Sequence, residues 1–304
     1  MEFKNNDIKI SVIIPNYNRA KSLVKSIKSV LDQSFIHFEI IVVDDCSTDN
    51  SLIEITKFKD TRLRVFKLEK NSGAAAARNY GIIKSTAPYI SFLDSDDTFE
   101  KDFLKVSYKT LSITSEDIGF MWSGYRLHFQ NSNRTVEKSW VPDKDKSPYL
   151  TFLKDISIGA GAGVTLKREV FKKCGSFDES LPAAEDTEFF LRITQHYDFT
   201  YTDKVLINIY RDSGDRLSKN FEKIAIAYNK FIPAHWREIK KKKDLTYKYS
   251  YKLMWLNFHL KDKKLAYKYF LHAFNAKKSS LKNIMIFLLY FFLPLNCAKK
   301  IHTA

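Results

Sequence analysis

Short apolar runs alternate with amphipathic segments in the first third of the chain, and this alternation restricts the fold more than any other sequence feature. Four segments have strand length, and the first of them is an apolar, β-branched run. They are Lys9–Tyr17, Phe38–Asp45, 62–69 and Tyr89–Asp97. Segments with helical character connect them, at 20–34, 51–58 and 72–85. A β-α-β-α-β-α-β order requires right-handed crossovers, so the sequence predicts an α/β fold with a mostly parallel sheet flanked by helices.

The rest of the chain is predicted to be less regular at first and helical at the end. After the fourth run we expect a helix, a strand, a passage from small residues into a short helix, a further helix and a last strand. These lie at 102–113, 117–129, 159–175, Asp186–Tyr197 and 205–210. From Arg216 onwards the pattern is helical.

Charge divides the chain at the same place. Residues 1–215 contain 30 basic and 31 acidic side chains, whereas residues 216–304 contain 20 and 4, so the net charges are −1 and +16. The sequence therefore predicts two domains, a near-neutral globular domain at 1–215 and a basic, aromatic-rich helical extension at 216–304.

Composition excludes several classes of protein. Hydrophobic residues make up 44% of the chain and charged residues 28%, which provides for a sizeable core and argues against global disorder. The three cysteines include no CxxC pair, so neither a disulfide framework nor a cysteine zinc site is expected, and a reducing compartment fits. The N-terminal residues lack the apolar segment of a signal peptide, so we expect a cytoplasmic protein.

The basic extension has two interpretations. Aromatic residues alternate with lysines between 247 and 274, and Ile284–Leu295 is a nearly uninterrupted apolar run. As a helix this run would be roughly 18 Å long, too short for the roughly 30 Å core of a bilayer, so it would lie in the membrane interface with lysines on the headgroups. The alternative is a set of ordinary helices with solvated lysines. No base-reading or zinc-finger motif is present, so nucleic acid is not an expected partner.

Acidic residues end two of the predicted strands. Asp44 and Asp45 end the second strand, and Asp94, Asp96 and Asp97 end the fourth. Because ligands of an open parallel sheet bind at the carboxyl ends of its strands, we expect these carboxylates to share one crevice. So many like charges need compensation, and carboxylate oxygens suit a hard divalent ion. The alternative is that these residues only cap turns and helices.

Residues beside this crevice suit a nucleotide. Tyr17, at the end of the first strand, can stack on a base, and Asp45 can accept a hydrogen bond from a base or a ribose hydroxyl. Gly73 permits close backbone approach at a helix start. Arg78 either balances phosphate charge or pairs with a sheet-end aspartate. The GxGxxG, GxxxxGK[ST] and GxSxG motifs are absent, which argues against dinucleotide oxidoreductases, P-loop NTPases and serine hydrolases.

Glu185 and Asp186 open an amphipathic helical segment. A carboxylate at a helix N-terminus ordinarily caps the helix or interacts with its dipole. Over a nucleotide crevice it could instead act as a general base. The residues alone leave both roles open.

Five segments together resemble the signature segments of family 2 glycosyltransferases with the GT-A fold. They match in order and spacing over about Lys9–Tyr210, and they are SVIIPNYNR, VVDDCSTDNS, NSGAAAARNYGI, YISFLDSDD and AEDTEFFLRI. The resemblance implies a GT-A (Rossmann-like) sheet and a nucleotide-diphospho-sugar donor, usually a UDP-sugar. It also implies Mg²⁺ or Mn²⁺ as cofactor and inversion at the anomeric carbon.

The resemblance also implies roles for residues on the nucleotide side. Pro15 and Tyr17 would line the nucleobase site. Asp45 would bond the base. Asp94, the first aspartate of the family's Asp-x-Asp, would lie near the ribose.

Roles on the reaction side follow from the same resemblance. Asp96, the second aspartate of Asp-x-Asp, would hold the metal, and Asp97 would support it or touch the donor sugar. Asp186 would be the catalytic base, with Glu185 beside it near the acceptor. The family often has a histidine shortly after a Tyr-Arg pair, but 210–218 contains none. Its place would fall to water or to one of Asp212, Ser213 and Arg216.

The resemblance and the lipid-compatible extension together imply a biological setting. We expect a bacterial enzyme, peripheral on the inner face of the cell membrane, that glycosylates a glycan or lipid-linked acceptor in surface-polysaccharide synthesis. Two rival hypotheses are a protein-modifying glycosyltransferase and a non-catalytic sugar- or membrane-binding protein on a degenerate GT-A fold. The retained Asp94, Asp96 and Asp186 argue against the second rival.

Overall fold

The computed structural model describes residues 8–129, 132, 134–142, 147–156, 159, 161, 163–211 and 220–277. The chain divides into two units, Met1–Ser180 with Glu185–Gly214 and Leu181–Ala184 with Asp215–Ala304. In the part of the chain that is described, the first unit contains the sheet and the second contains three long helices.

The four strands predicted in the first third of the chain form the parallel half of the sheet. They are β1 Ile10–Asn16, β2 Phe38–Asp44, β3 Leu63–Lys67 and β4 Tyr89–Phe92. In the order β3-β2-β1-β4, each strand pairs in parallel with the next. Every residue of β1 and β2 is buried, as expected for central strands covered on both faces. The predicted parallel arrangement of these strands is confirmed.

Helices cover both faces of this parallel half. The connecting helices are α1 Ala20–Leu31, α2 Ser51–Ile55 and α3 Ala74–Lys84. The apolar side of α1 forms a core with Val12 and Ile14 of β1. On the opposite face α3 packs so closely that a Cβ on Gly81 would overlap the side chain of Ile13. The alternation of β1 residues between the two faces thus places one helix on each side.

The remaining strands make the other half of the sheet mixed. They are β5 Thr98–Phe99, β6 Ile118–Phe129, β7 Arg134–Lys138, β8 Val164–Lys167 and β9 Asp198–Arg211. Strand β8 lies antiparallel between β4 and β6, and β6 pairs in parallel with β9. Strands β5 and β7 add antiparallel to β9 and β6. The helices of this half are α4 Phe103–Ser112, α5 Pro148–Lys154, α6 Arg168–Cys174 and α7 Glu185–Ile193.

Strand β8 was not predicted, because its segment was expected to pass from small residues directly into a helix. It contains four residues and pairs with β4 on one side and β6 on the other. So short a segment carries little periodic signal of its own, and pairing on both sides decides its conformation.

The second unit contains α8 Phe221–Ile239, α9 Lys243–His259 and α10 Lys263–Ala276. Helix α9 packs against both of the others, and Asn229 of α8 and Asn257 of α9 exchange amide hydrogen bonds of 2.7 and 3.0 Å. The helices predicted after Arg216 are confirmed for the described residues, whereas the apolar run Ile284–Leu295 lies outside them. None of the helices in the described ranges combines the length and apolarity that crossing a bilayer requires.

Candidate active site

The carboxyl ends of β1, β2 and β4 lie side by side, because these strands are neighbours in the sheet. Asn16 at the end of β1 is in register with Asp44 at the end of β2. Tyr17, Asp45 and Asp94 follow within two residues of these strand ends. The structure therefore brings three predicted site residues to one edge of the sheet, where ligands of parallel sheets bind.

Hydrogen bonds tie the ends of β1 and β2 together. The side-chain amide of Asn16 donates to Asp44 Oδ1 at 2.9 Å and to Ser47 Oγ at 3.2 Å. The backbone N–H of Ser47 donates to Asp44 Oδ2 at 2.9 Å. Asp44 is fully buried, and its carboxylate stabilises the turn after β2 by accepting these hydrogen bonds.

Asp45 holds the loop that leads into α3. Its Oδ1 accepts a hydrogen bond from the Ser72 backbone at 2.7 Å, and its Oδ2 accepts one from the Gly73 backbone at 2.8 Å. Gly73 immediately precedes α3 and has a φ of +91°, a conformation that favours glycine. Asp45 is 3% exposed, and its carboxylate already accepts hydrogen bonds from two backbone amides. A base that contacts Asp45 would be a further donor to the same carboxylate.

Pro15 and Tyr17 differ in exposure at the end of β1. Pro15 is buried within the strand, in register with Val43 of β2. Tyr17 is 45% exposed, which leaves its ring accessible for stacking on a base. Of these two residues, Tyr17 is therefore the one that presents a side chain to a ligand.

Arg78 of α3 joins two acidic segments that lie far apart in the sequence. Its Nη2 donates to Asp94 Oδ1 at 2.9 Å, and its Nη1 donates to Glu185 Oε1 at 2.8 Å. Burial disfavours the charged guanidinium, but attraction to Asp94 and Glu185 outweighs burial and raises the pKa of Arg78 above its usual range. Of the two roles left open by the sequence, the structure shows the pairing with a sheet-end aspartate.

Asp97 anchors the acidic loop after β4. Its Oδ1 accepts a hydrogen bond from the Tyr210 backbone at 3.0 Å, and its carbonyl accepts one from the Ser26 hydroxyl at 2.6 Å. Burial, followed by repulsion from Asp94 and Asp96, raises the pKa of Asp97 to about 9. Burial and the neighbouring carboxylates thus favour the protonated form of Asp97, which supports the loop from inside.

Asp94 and Asp96 expose their carboxylates, with side chains 40% and 37% exposed, and Arg19 Nε lies 3.8 Å from Asp96 Oδ2. Among the described residues, no three His, Cys, Asp or Glu side chains are grouped closely enough to enclose a metal ion. Mg²⁺ and similar ions are nevertheless commonly held by one or two carboxylates and complete their shell with substrate phosphates and water. This donor set therefore fits a cation that is bound together with a diphosphate.

Asp186 lies in the first turn of α7. Its Oδ1 accepts a hydrogen bond from the Thr187 backbone at 2.7 Å. Burial, followed by repulsion from Glu185, raises the pKa of Asp186 to about 6, although Arg78 opposes the shift. Such a carboxylate is largely ionised near neutral pH yet more basic than an exposed aspartate, which suits a general base. Four predicted site residues thus form one cluster, the Arg78 cluster, defined as Arg78, Asp94, Glu185 and Asp186.

Two glycines that sequence reasoning missed bring bare backbone against this cluster. A Cβ on Gly159 would lie 2.9 Å from Asp186 Oδ2, and a Cβ on Gly161 would overlap the carboxylate of Asp94. The same short stretch therefore borders the acidic loop and the start of α7. The available signal was the Gly-x-Gly-x-Gly spacing at 159–163, in a chain with nine glycines in all.

Sequence comparison finds relatives among bacterial glycosyltransferases. An uncharacterized glycosyltransferase of Rickettsia conorii is 46% identical over 125 residues, which cover 40% of this chain and 20% of that protein. The putative teichuronic acid biosynthesis glycosyltransferase TuaG of Bacillus subtilis is 39% identical, with coverages of 49% and 59%. WfgD of Escherichia coli, a UDP-Glc:alpha-D-GlcNAc-diphosphoundecaprenol beta-1,3-glucosyltransferase, is 34% identical, with coverages of 50% and 58%. The chain thus spans less than two thirds of each of these relatives.

Solved structures share the fold at low sequence identity. TarS of S. aureus in complex with UDP-GlcNAc matches with a TM-score of 0.62 and 20% identity, over 90% of this chain and 93% of that chain. The mannosyltransferase PcManGT of Pyrobaculum calidifontis in complex with GDP-Man and Mn²⁺ matches with a TM-score of 0.59 and 17% identity, over 95% and 82%. These matches confirm the GT-A-like fold. Since the profile described as "Glycosyl transferase family 2" also matches residues 11–175, more than half of the chain, the protein belongs to glycosyl transferase family 2.

Proposed function

We propose that the protein is an inverting glycosyltransferase that moves a sugar from a UDP-sugar to a glycan or lipid-linked acceptor in cell-surface polysaccharide synthesis. The observation that carries this proposal is the Arg78 cluster, in which the donor-side Asp94 meets the helix-opening pair Glu185 and Asp186. Family membership and the polysaccharide-related name of TuaG support it.

The donor nucleotide is proposed to lie across the ends of β1, β2 and β4. Tyr17 stacks on the base, and Asp94 accepts a hydrogen bond from the ribose. Asp45 bonds the base through oxygen lone pairs that its two backbone contacts leave available, and Gly73 lets backbone approach the phosphates. The UDP-GlcNAc complex of TarS supports a UDP-sugar as the donor.

Asp96 is proposed to hold Mg²⁺ or Mn²⁺, with Asp97 supporting the loop beneath it. When bound, the cation supplies electrostatic stabilisation of the diphosphate as it leaves. Arg19 adds positive charge beside Asp96. The Mn²⁺ in the PcManGT complex supports the use of a divalent ion.

Asp186 is the proposed catalytic base. It takes the proton from an acceptor hydroxyl while that oxygen attacks the anomeric carbon from the face opposite the diphosphate, so one displacement inverts the configuration. Glu185, held by Arg78, lies beside Asp186 on the acceptor side. Gly159 presents only backbone to Asp186, and a Cβ at this position would lie 2.9 Å from Asp186 Oδ2.

The two parts of the chain are proposed to divide the work. Residues 1–215 form the catalytic domain, and residues 216–304 hold the enzyme on the cytoplasmic face of the cell membrane. The excess of positive charge in the second part supports attraction to anionic lipid. The diphosphoundecaprenol in the name of WfgD supports an acceptor that is located in a membrane.

Transfer assays with radiolabelled UDP- and GDP-sugars, with and without Mn²⁺, test the proposal. The acceptors are an undecaprenyl-diphosphate-linked glycan, a free oligosaccharide and a polypeptide. We expect transfer to the lipid-linked or free glycan, with an inverted anomeric configuration by NMR. Label on the polypeptide would identify a protein-modifying enzyme. Absence of both transfer and donor hydrolysis across the panel would identify a non-catalytic binding protein.

A further inference from the structure

Helix α10 of the second unit has two apolar sides, and one of them is exposed. The inner side contains Ala266 and Ala273, which are 0% and 5% exposed. The other side contains Tyr267, Leu271 and Phe274, which are 48%, 40% and 36% exposed. These three residues recur at spacings of four and three, so they lie on one side of the helix. We call them the outer stripe of α10.

Aromatic rings extend the outer stripe along the helix. The Phe270 ring stacks on Tyr267, with a centroid distance of 6.4 Å, and on Phe274, with a distance of 6.0 Å. Because the exposure of a contiguous apolar surface to water is unfavourable, the outer stripe is a candidate interaction surface.

The charges around the outer stripe restrict what it can bind. Lys263, Lys264 and Lys268 on α10 are exposed, as is Lys277 just beyond its end, and α10 contains no acidic residue. Residues 220–277 contain 14 basic and 4 acidic side chains. A partner that is anionic at its surface and apolar beneath complements both features, and an anionic bilayer has both properties within a few ångströms.

We propose that α10 is a membrane-binding helix that lies in the plane of an anionic bilayer. The outer stripe enters the boundary between headgroups and acyl chains, while the lysines contact lipid phosphates. With fourteen residues, α10 is about 21 Å long, which suits lying in the interface rather than spanning the bilayer. This inference rests on the proposed membrane association and assigns it to particular side chains.

Co-sedimentation of the full chain with vesicles tests the apolar contribution. The vesicles are phosphatidylcholine alone or phosphatidylcholine with phosphatidylglycerol. We expect Leu271→Ser/Phe274→Ser to lower the partition coefficient on the anionic vesicles by roughly tenfold, because both side chains lose their apolar burial in lipid. The matched control, Ile83→Ser/Ile113→Ser, removes side chains of residues that are 76% and 81% exposed in the first unit and is expected to bind like wild type.

A second pair of variants tests the electrostatic contribution. Lys264→Glu/Lys268→Glu reverses two charges beside the outer stripe and is expected to lower binding to the anionic vesicles by roughly tenfold or more. The matched pair Lys105→Glu/Lys109→Glu reverses two exposed lysines at the same spacing on α4 and is expected to bind like wild type. Wild-type binding should also weaken as salt is added.

Equal vesicle binding by wild type and by both α10 variants would overturn the inference. It would also be overturned if the control variants lost as much vesicle binding as the α10 variants. A wild-type dimer that the Leu271→Ser/Phe274→Ser change converts to a monomer, without any vesicle binding, would instead identify the outer stripe as an interface between copies. Circular dichroism confirms that each variant is folded. Transfer to a soluble acceptor is measured separately, so failure of membrane binding is distinguishable from failure of the proposed enzyme activity.

Discussion

At the scale of single residues, Arg78 lies between carboxylates that come from two distant parts of the chain. We predict that Arg78→Met lowers the free energy of unfolding by about 3 kcal/mol. This value is at the lower end of the range for breaking a buried ion pair, because Asp94 is partly exposed and its charge is screened by solvent. Urea denaturation measures the change. The control Lys172→Met breaks a surface pair with Glu169, both about two-thirds exposed, and should cost no more than about 0.5 kcal/mol. Equal losses would contradict the central position of Arg78.

Asp186 is the residue on which the proposed chemistry depends. We predict that Asp186→Asn lowers kcat by about 10²–10⁴-fold, since the amide cannot accept the acceptor's proton. Donor affinity, measured by calorimetry, should remain close to that of wild type, because the base acts in the transition state. Glu169→Gln, an exposed carboxylate on α6, is the matched control. Wild-type turnover in Asp186→Asn would show that the base assignment is wrong.

The pKa of Asp186 predicts the acid limb of the pH–rate profile. The pKa is raised to about 6, first by burial and then by Glu185, so the base becomes protonated at a higher pH than an ordinary aspartate. We therefore expect kcat/KM to level off above this value and to fall about tenfold for each pH unit below it. Glu185→Gln removes the second cause, so its acid limb should move to lower pH. An unmoved limb would show that Glu185 does not contribute.

At the scale of elements, the acidic loop is held from both sides. Strand β4 ends before it, and β5, which begins directly after it, pairs with β9 through Thr98 and Asn208. The backbone of Tyr210, also in β9, donates to Asp97 within the loop. Because both flanking strands belong to the sheet, the loop presents Asp94 and Asp96 from a rigid support.

Gly159 and Gly161 act at this scale through their lack of side chains. We predict that Gly161→Ala raises the KM for the donor, because the added Cβ overlaps Asp94 and must displace it, at a strain of about 1–3 kcal/mol. Steady-state kinetics measure the effect. Gly81→Ala, which overlaps Ile13 in the core, should lower the Tm by a comparable strain while the KM of the remaining folded enzyme stays unchanged. A KM for Gly161→Ala equal to that of wild type would contradict this role.

At the scale of the whole molecule, donor and metal binding should stabilise the native state. A ligand that binds only the folded protein contributes about 2.7 kcal/mol at a hundred times its Kd. We predict that UDP with Mn²⁺ raises the Tm more than UDP alone and that Asp96→Ala abolishes the difference. Asp117→Ala, at the exposed turn before β6, is the control and should retain it. A Mn²⁺-dependent shift that survives in Asp96→Ala would exclude Asp96 as the metal ligand.

The local sequence pattern was sufficient to predict the parallel half of the sheet and to identify the candidate site residues. Strands β1, β2 and β4 could be predicted because residues covered on both faces form continuous apolar runs. Their order along the chain placed Tyr17, Asp45 and Asp94 at one edge, since the carboxyl ends of parallel strands share an edge. The helical character after Arg216 was likewise visible in the sequence, as was the division of charge between the two parts of the chain.

Only the tertiary structure decided which of those residues meet. Arg78 pairs with partners 16 and 107 positions away, and a local pattern contains no information on contacts of that separation. The raised pKa of Asp97 depends on burial by other elements, the strand character of β8 depends on neighbours on both sides, and the close approach of Gly161 depends on the carboxylate it borders. The amino-acid sequence thus determined the fold class and the candidate chemistry, because both depend on local periodicity and residue type. The assignment of charge partners and close contacts depends on which distant segments meet in space.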